Sequence, residues 1–426
     1  MNAGSLRRDL GLFGAVVTGL GSIIGTGVFV SLAVAAGAAR EMILVATPLA
    51  AVVATFNGLS SAQLAAAHPV AGGTYEYGYR LLSPWLGYSA GVLFLVAKTA
   101  SASTAALGFA GYGLALLGAD EALTVPVAVG VAGAVTALVL SGVRRTTGVN
   151  AVLVATAIGA LLTFVAAGLF DAAGGWGPVT TGTDAPAWNR LLSATAFMFV
   201  AYTGYGRIAT LGEEVRDPAR TIPRAVIVTL AISAVLYTVV AAVGWSIGRS
   251  SWGPISAAHD APGAPLAGLL ASPLAARLVE IGAVVAMLGV LLNLVLGLSR
   301  VWLAMGRRRD MPASLARVSE AGSPVPVVIL TGTLVAAVTL VGDVRLTWSF
   351  SAMTVLLYYA ITNWAALRLP VEARRFPRWI SQAGLASCVF LSFFVDPAVW
   401  LTGAVVIAAG LLWRLAWTLL SRTRPG

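Results

Sequence analysis

The sequence predicts an all-helical integral membrane protein of about twelve transmembrane helices, and three observations carry that prediction. Of 426 residues, 58% are hydrophobic and only 10% are charged, with a mean hydropathy of +0.88. A water-soluble globular chain is nearer half apolar and a quarter charged, so so few charges cannot cover a water-facing surface of this size. Lipid is therefore the solvent for most of the chain. The second observation is a succession of apolar runs of about 20 residues or more, the length that crosses a bilayer. The third is a strong asymmetry in where the arginines fall.

The runs lie at 10–37, 41–66, 84–117, 122–141, 148–170, 190–215, 222–248, 273–304, 324–342, 346–368, 379–395 and 397–419. An even number of crossings puts both termini on one side. Loops and span ends on that side hold 20 arginines, and the opposite side holds five: Arg40, Arg190, Arg249, Arg277 and Arg345. Basic residues concentrate on the cytoplasmic side, so both termini are expected in the cytoplasm. The formal charge of +10 is then a property of membrane orientation, not of a nucleic-acid partner. Arg7-Arg8 before the first run imitates a signal peptide, but further spans follow and the run reads as the first transmembrane helix. Cys388, the single cysteine, excludes an internal disulfide and reads as a small core or lipid-facing residue.

Two spans contain what a membrane helix avoids. In the first, Gly19, Gly21, Gly25 and Gly27 surround Ser22 and Thr26 in GLGSIIGTGVF; in the sixth, Tyr202-Thr203-Gly204-Tyr205-Gly206 interrupts the helix at mid-depth. Spans one and six are corresponding members of two five-helix halves. Paired interruptions at corresponding positions point to a transporter site built from broken helices, because irregular backbone at membrane depth must line a cavity or be buried in protein. Small residues also serve close helix packing. GLGSIIG resembles a dinucleotide fingerprint, but its spacing is off by one and no ribose-binding acid follows in a soluble unit.

On these residues the chain resembles the amino acid–polyamine–organocation permeases. The resemblance covers GSIIGTGVF in span one, HPVAGGTYEYG before span three, AYTGYGRIATLGEEVRDPARTIPRA through span six, and GLSRVWLAMGRRRDMPASLARVS after span eight. It implies a LeuT-like fold, an inverted 5+5 repeat with helices 1 and 6 broken. The core would be residues 1–368, its repeats about 10–170 and 190–368, and residues 369–426 would add two transmembrane helices and a cytoplasmic tail. It also implies a small-molecule amino acid substrate held by its backbone. The amides of Gly25, Thr26 and Gly27 would meet the carboxylate, as the N-terminus of a half-helix can. Carbonyls of Ile23, Tyr202 and Thr203 would accept from the ammonium, with Gly204 in the same break and Tyr205 contributing to side-chain selectivity.

Lys98 is the only lysine and lies midway along span three. A lysine at that depth costs about 3 kcal/mol on insertion scales, so it marks a site or a structural tie. Counting from Gly87-Tyr88 to Gly111-Tyr112 places it about one turn below a position that contacts substrate in relatives. Many relatives carry a lysine on the fifth helix in place of a coupling sodium ion; here VNAVLVATAIGALL has Ala157 there. Lys98 is expected to take over as a fixed or titrating cation, with proton coupling or exchange as the driving process. In the stretch Met287-Leu288-Gly289-Val290-Leu291-Leu292-Asn293 of span eight only Asn293 offers a polar side chain, which disfavours sodium.

Arg207 follows the break in span six. There a cation opposes the helix dipole, so it calls for an anionic partner: a substrate carboxylate, or Glu213 or Glu214. A structural role is the alternative. Two cations near the site repel arginine, lysine and polyamines as cargo; neutral amino acids are favoured and acidic ones stay open. Glu213, Glu214 and Arg220 are candidates for a cytoplasmic gate, or for a plain solvated surface. No metal, cofactor or catalytic constellation is expected, and no nucleotide loop for primary pumping. The expected protein is a multi-pass permease of the cell membrane. The alternatives are a transporter of another small organic amine or anion, or a channel or receptor on the same fold.

Overall fold

The structure is a computed structural model that describes residues 10–69, 72–141, 147–171, 187–210, 212, 214–248, 264–319, 324–341 and 343–422. Among these residues every extended element is helical. The only pairing of the β kind among the described residues is a parallel bridge between Leu10 and Val215. This is what lipid requires, since a helix satisfies its backbone polar groups within itself.

Sixteen helices follow in order: α1 Leu12–Ile23, α2 Thr26–Phe29, α3 Ser31–Ala39, α4 Ile43–Ala67, α5 Thr74–Leu81, α6 Pro84–Leu117, α7 Thr124–Leu140 and α8 Thr147–Asp171. The second half runs α9 Ala187–Tyr202, α10 Gly206–Ala209, α11 Pro218–Gly248, α12 Pro273–Arg307, α13 Val325–Thr339, α14 Val344–Leu367, α15 Arg378–Ser392 and α16 Pro397–Arg422. Nine segments among the described residues are long and apolar enough to cross a membrane; α1 to α3 count together as one. The predicted spans six, nine and eleven correspond to the shorter helices α9, α13 and α15, of 16, 15 and 15 residues.

Helix ends follow local chemistry. Ser83 caps α6 by accepting from the Leu86 amide at 3.2 Å, with Pro84 behind it in the first turn. Ser272 and Pro273 open α12 in the same way, and Gly118 ends α6 in the left-handed conformation. Large apolar side chains that water would reject point outward, among them Leu117, Leu162 and Phe170, as expected for faces turned to acyl chains.

Two apolar clusters form the interior. One joins α1, α4, α8, α9, α11 and α14; the other joins α6, α7, α12 and α13. The most extensive contacts run between α6 and α12, α4 and α11, and α6 and α14. The interrupted helices sit where these packed pairs meet.

Candidate functional site

The first span breaks as its glycines predict. Helix α1 stops at Ile23, Ile24 is extended (ψ 107°), and α2 begins at Thr26. Val28 and Phe29 both donate to the Gly25 carbonyl at 3.1 Å. The first-turn amides of Thr26 and Gly27 have no carbonyl one turn back to bond. The sixth span differs in kind. After α9 ends at Tyr202, Thr203–Tyr205 form one 3₁₀ turn and α10 resumes at Gly206, with right-handed helical angles at Tyr202, Tyr205 and Gly206. It is a tightening of the helix, which frees fewer groups than the extended link in span one.

Glycine lets the two interruptions touch. A Cβ on Gly204 would overlap the carbonyl of Ser22, and one on Gly25 would lie 2.5 Å from Val290 Cγ2 and 3.2 Å from the Ala286 carbonyl oxygen of α12. Real Cβ atoms do not tolerate such approaches, so spans one, six and eight meet backbone to backbone. Asn293 of α12 adds a hydrogen bond from Nδ2 to the Gly21 carbonyl at 3.2 Å. The one polar side chain foreseen on this stretch of span eight therefore holds the end of α1.

Beside this junction lies a cavity of about 730 Å³, open mouth included. Ser22, Lys98, Thr203, Gly204 and Asn293 line its inner part, and Arg207, Thr210 and Arg300 line it further along; Phe94, Val290, Leu294 and Tyr359 supply its apolar walls. Lys98 is buried, and its Nζ donates to Thr203 Oγ1 at 3.0 Å; that hydroxyl donates on to the Val200 carbonyl at 2.8 Å. Span three is thus tied to the 3₁₀ turn of span six by one charge-assisted bond. The polar residues that follow Lys98 do something else. Ser101 pairs with Ser351 at 2.7 Å, Thr104 with Thr347 at 2.8 Å, and Ser103 accepts from Thr339 at 3.0 Å. These hydroxyls knit α6 to α14 and α13, and leave Lys98 as the member that faces the cavity.

Of the other residues singled out in the sequence, Thr203, Gly204 and Arg207 line the cavity, whereas Ile23, Gly25, Thr26, Gly27, Tyr202 and Tyr205 lie outside its lining. The Ile23 carbonyl accepts from Tyr237 Oη at 2.8 Å and the Thr203 carbonyl from Tyr359 Oη at 3.2 Å. Tyr202 donates to the Thr47 carbonyl at 3.3 Å. Tyr205 is buried against the ring of Tyr359, 5.3 Å between centroids. Thr26 Oγ1 is buried without a partner among the described residues. Arg207 donates from Nη1 to Thr210 Oγ1 at 3.3 Å, and its buried Nε has no partner there. Glu214 accepts from Arg300 at 2.7 Å, while Arg220 is exposed beside Asp217 at 3.8 Å, away from the cavity. Glu213 lies outside the described residues.

A second buried polar cluster was missed in the sequence. Asn57 of α4 accepts from Asn363 of α14 at 2.6 Å and from Cys388 of α15 at 3.1 Å; beside it Ser60 and Ser381 are 2.8 Å apart. Two asparagines inside apolar helices are costly unless paired, and that was the signal to follow. Cys388 is a core residue, as its apolar setting suggested.

Comparison with known proteins gives this geometry its lineage. A family model described as amino acid permease matches residues 14–418. The chain belongs to the amino acid permease family. An uncharacterized transporter of Mycobacterium tuberculosis is 42% identical to this permease over 95% of the chain and 90% of that protein. The branched-chain amino acid permease of Bacillus subtilis is 28% identical over 74% of the chain and 70% of its own length, and a methylthioribose transporter of the same organism is 27% identical over 74% and 70%. The permease is a multi-pass membrane protein of a transporter family, and its relatives here are transporters rather than enzymes.

Proposed function

We propose that this permease is a secondary active transporter that carries amino acids across the cell membrane by alternating access. The observation that supports it most is the cavity where the Ser22 carbonyl meets Gly204, with Lys98 bonded to Thr203 at its wall. Backbone from two interrupted spans comes together at one cavity whose mostly apolar wall carries Lys98 and Arg207, as the broken-helix transporter plan requires. The proposed site is the break in span one beside the 3₁₀ turn of span six, with the Thr26 and Gly27 amides available to a substrate backbone. Ile23 takes part only through a second lone pair, since its carbonyl already accepts the Tyr237 hydroxyl, and the Thr203 carbonyl is occupied by the Gly206 amide and the Tyr359 hydroxyl.

Twelve spans in two inverted five-helix repeats, with two more helices after them, suit the packing. Shifting each partner by five spans converts α1 on α11 into α9 on α4, and α6 on α14 into α12 on α8; α6 on α12 and α4 on α11 map onto themselves. With both termini cytoplasmic, Arg300, about two turns beyond Asn293 on α12, lies on the cytoplasmic side of the cavity. Lys98 is the proposed coupling group, protonated and deprotonated in turn as cargo crosses or as one amino acid exchanges for another. The cargo carries no net positive charge, because Lys98 and Arg207 both face it.

Uptake of labelled amino acids into proteoliposomes, with an inward proton gradient and again with unlabelled amino acids inside, tests this. Saturable, stereospecific uptake in either format is expected. Methylthioribose is the cargo named for one relative, so a small organic solute that is not an amino acid is the second reading. It prevails if purified folded protein takes up no amino acid in either format.

A further inference from the structure

Resting on the transport reading above, we propose that the cavity selects cargo with a carboxylate beyond the one on its amino acid backbone, an acidic amino acid or a related small dicarboxylate, and that Arg207 and Lys98 are its counter-charges. The charge inventory carries the argument. Lys98, Arg207 and Arg300 line the cavity, and no carboxylate does among the described residues. Glu214 is the acid closest in the chain to Arg207 among those residues, and it is held by Arg300 at 2.7 Å. Glu214 is bonded to Arg300 and acts on Arg207 only through space, so the hydrogen-bond acceptors left to Lys98 and Arg207 are neutral. Lys98 has the Thr203 hydroxyl, and Arg207 has the Thr210 hydroxyl at 3.3 Å with its Nε unpartnered.

Removing a cation from water without a counter-ion costs several kcal/mol even after relaxation. Such an arrangement is stable when an anion arrives as part of the working cycle. A guanidinium with free donors is the residue type suited to a carboxylate, which it meets with two parallel bonds. A zwitterion alone brings one negative charge and one positive. Its ammonium would stand near Lys98, at a break where the Ile23 and Thr203 carbonyls already accept from Tyr237 and Tyr359. A second carboxylate restores the balance.

The test uses the full-length protein in proteoliposomes with labelled L-glutamate, L-aspartate, L-valine and succinate. Glutamate or aspartate is expected to be taken up saturably and in preference to valine. Arg207→Gln should raise the KM for the acidic cargo tenfold or more, with unchanged thermal stability, and Arg207→Lys should recover part of the loss. Competition by succinate would mean that two carboxylates suffice; its absence would mean that the amino group is also read. Saturable valine uptake that is indifferent to Arg207→Gln, without uptake of either acid, overturns the proposal while leaving amino acid transport standing. Acidic uptake that appears only in Glu213→Gln also overturns it, because the arginine's counter-charge would then be Glu213. No uptake of any of the three amino acids by folded protein removes the transport reading itself.

Discussion

The ammonium of Lys98 and the hydroxyl of Thr203 lie 3.0 Å apart, although 105 residues separate them in the chain. The bond joins the middle of α6 to the tightened turn between α9 and α10. A hydrogen bond with one charged partner is worth about 1.5–3 kcal/mol, and each 1.4 kcal/mol is about tenfold. Lys98→Met is therefore expected to lower kcat/KM for uptake by about ten- to hundredfold and to flatten its dependence on external pH. Thr203→Val keeps the volume but leaves the ammonium without its acceptor, and should cost nearly as much. The double variant should be less impaired than the sum of the singles, since both remove one interaction. Additive losses in proteoliposome uptake would mean that the two residues act separately.

The contact between the two interruptions makes a steric prediction. Gly204→Ala places a methyl group into the carbonyl of Ser22, and Gly25→Ala places one against Val290 and Ala286. Overpacking of this kind costs about 1–3 kcal/mol or more where backbone cannot yield. Both variants should lose uptake and melt earlier in detergent. Gly113 in α6 has open space where its Cβ would be, and Gly113→Ala should leave uptake and melting unchanged. If all three alanine variants transport equally well, the backbone contact does not govern function.

The sequence made the spans legible because lipid imposes one rule, an apolar run long enough to cross, and Gly25 and Gly204 broke it visibly. Lys98 was legible for the same reason: a lone lysine amid apolar residues advertises its cost. What stayed hidden depended on which helices face each other. Ser101, Ser103 and Thr104 follow Lys98 along α6, and nothing in their spacing shows that their hydroxyls meet Ser351, Thr339 and Thr347 on α14 and α13, more than 200 positions away. The hydroxyls of Tyr237 and Tyr359 on the carbonyls of Ile23 and Thr203 were equally invisible, since a tyrosine in a membrane span reads as packing until its partner is known. Glu214 and Arg220 looked alike in the sequence; only folding gives one Arg300 and leaves the other in solvent.

His68, just beyond the end of α4, sets a pH dependence of stability. Burial and then the charge of Arg80 lower its pKa from the ordinary 6.5, and its Nε2 is buried without a partner among the described residues. The unfolded chain therefore takes up a proton at a higher pH than the folded one, so stability rises with pH across that interval. It is intact above 6.5 and erodes as pH falls from there toward the lowered folded value. The apparent Tm in detergent should drop on going from neutral pH to about pH 5, and His68→Gln should shrink that drop. An identical slope in the variant would assign the effect to other groups.

The Arg300–Glu214 pair makes the last prediction. Its oxygen and nitrogen are 2.7 Å apart, with side chains 38% and 23% exposed, at the end of the cavity away from Lys98. Glu214 sits in the segment after α10 whose backbone pairs with Leu10: the Leu10 amide donates to the Glu214 carbonyl at 3.1 Å, and the Arg216 amide to the Leu10 carbonyl at 2.8 Å. The pair thus ties that segment to α12, two parts that must separate or slide if the mouth changes width. Water reaches both side chains, so the pair contributes no more than about 1 kcal/mol, and neutralising either residue should change uptake only a few-fold. Reversal is different, because Glu214→Arg removes the acid and sets a third cation beside Arg300 and Arg207, so that attraction is replaced by repulsion. Glu214→Arg and Arg300→Glu are each expected to abolish uptake, and the double reversal should return it to within a few-fold of the wild type. A double variant as inactive as either single would show that position, not charge pairing, is what these residues supply.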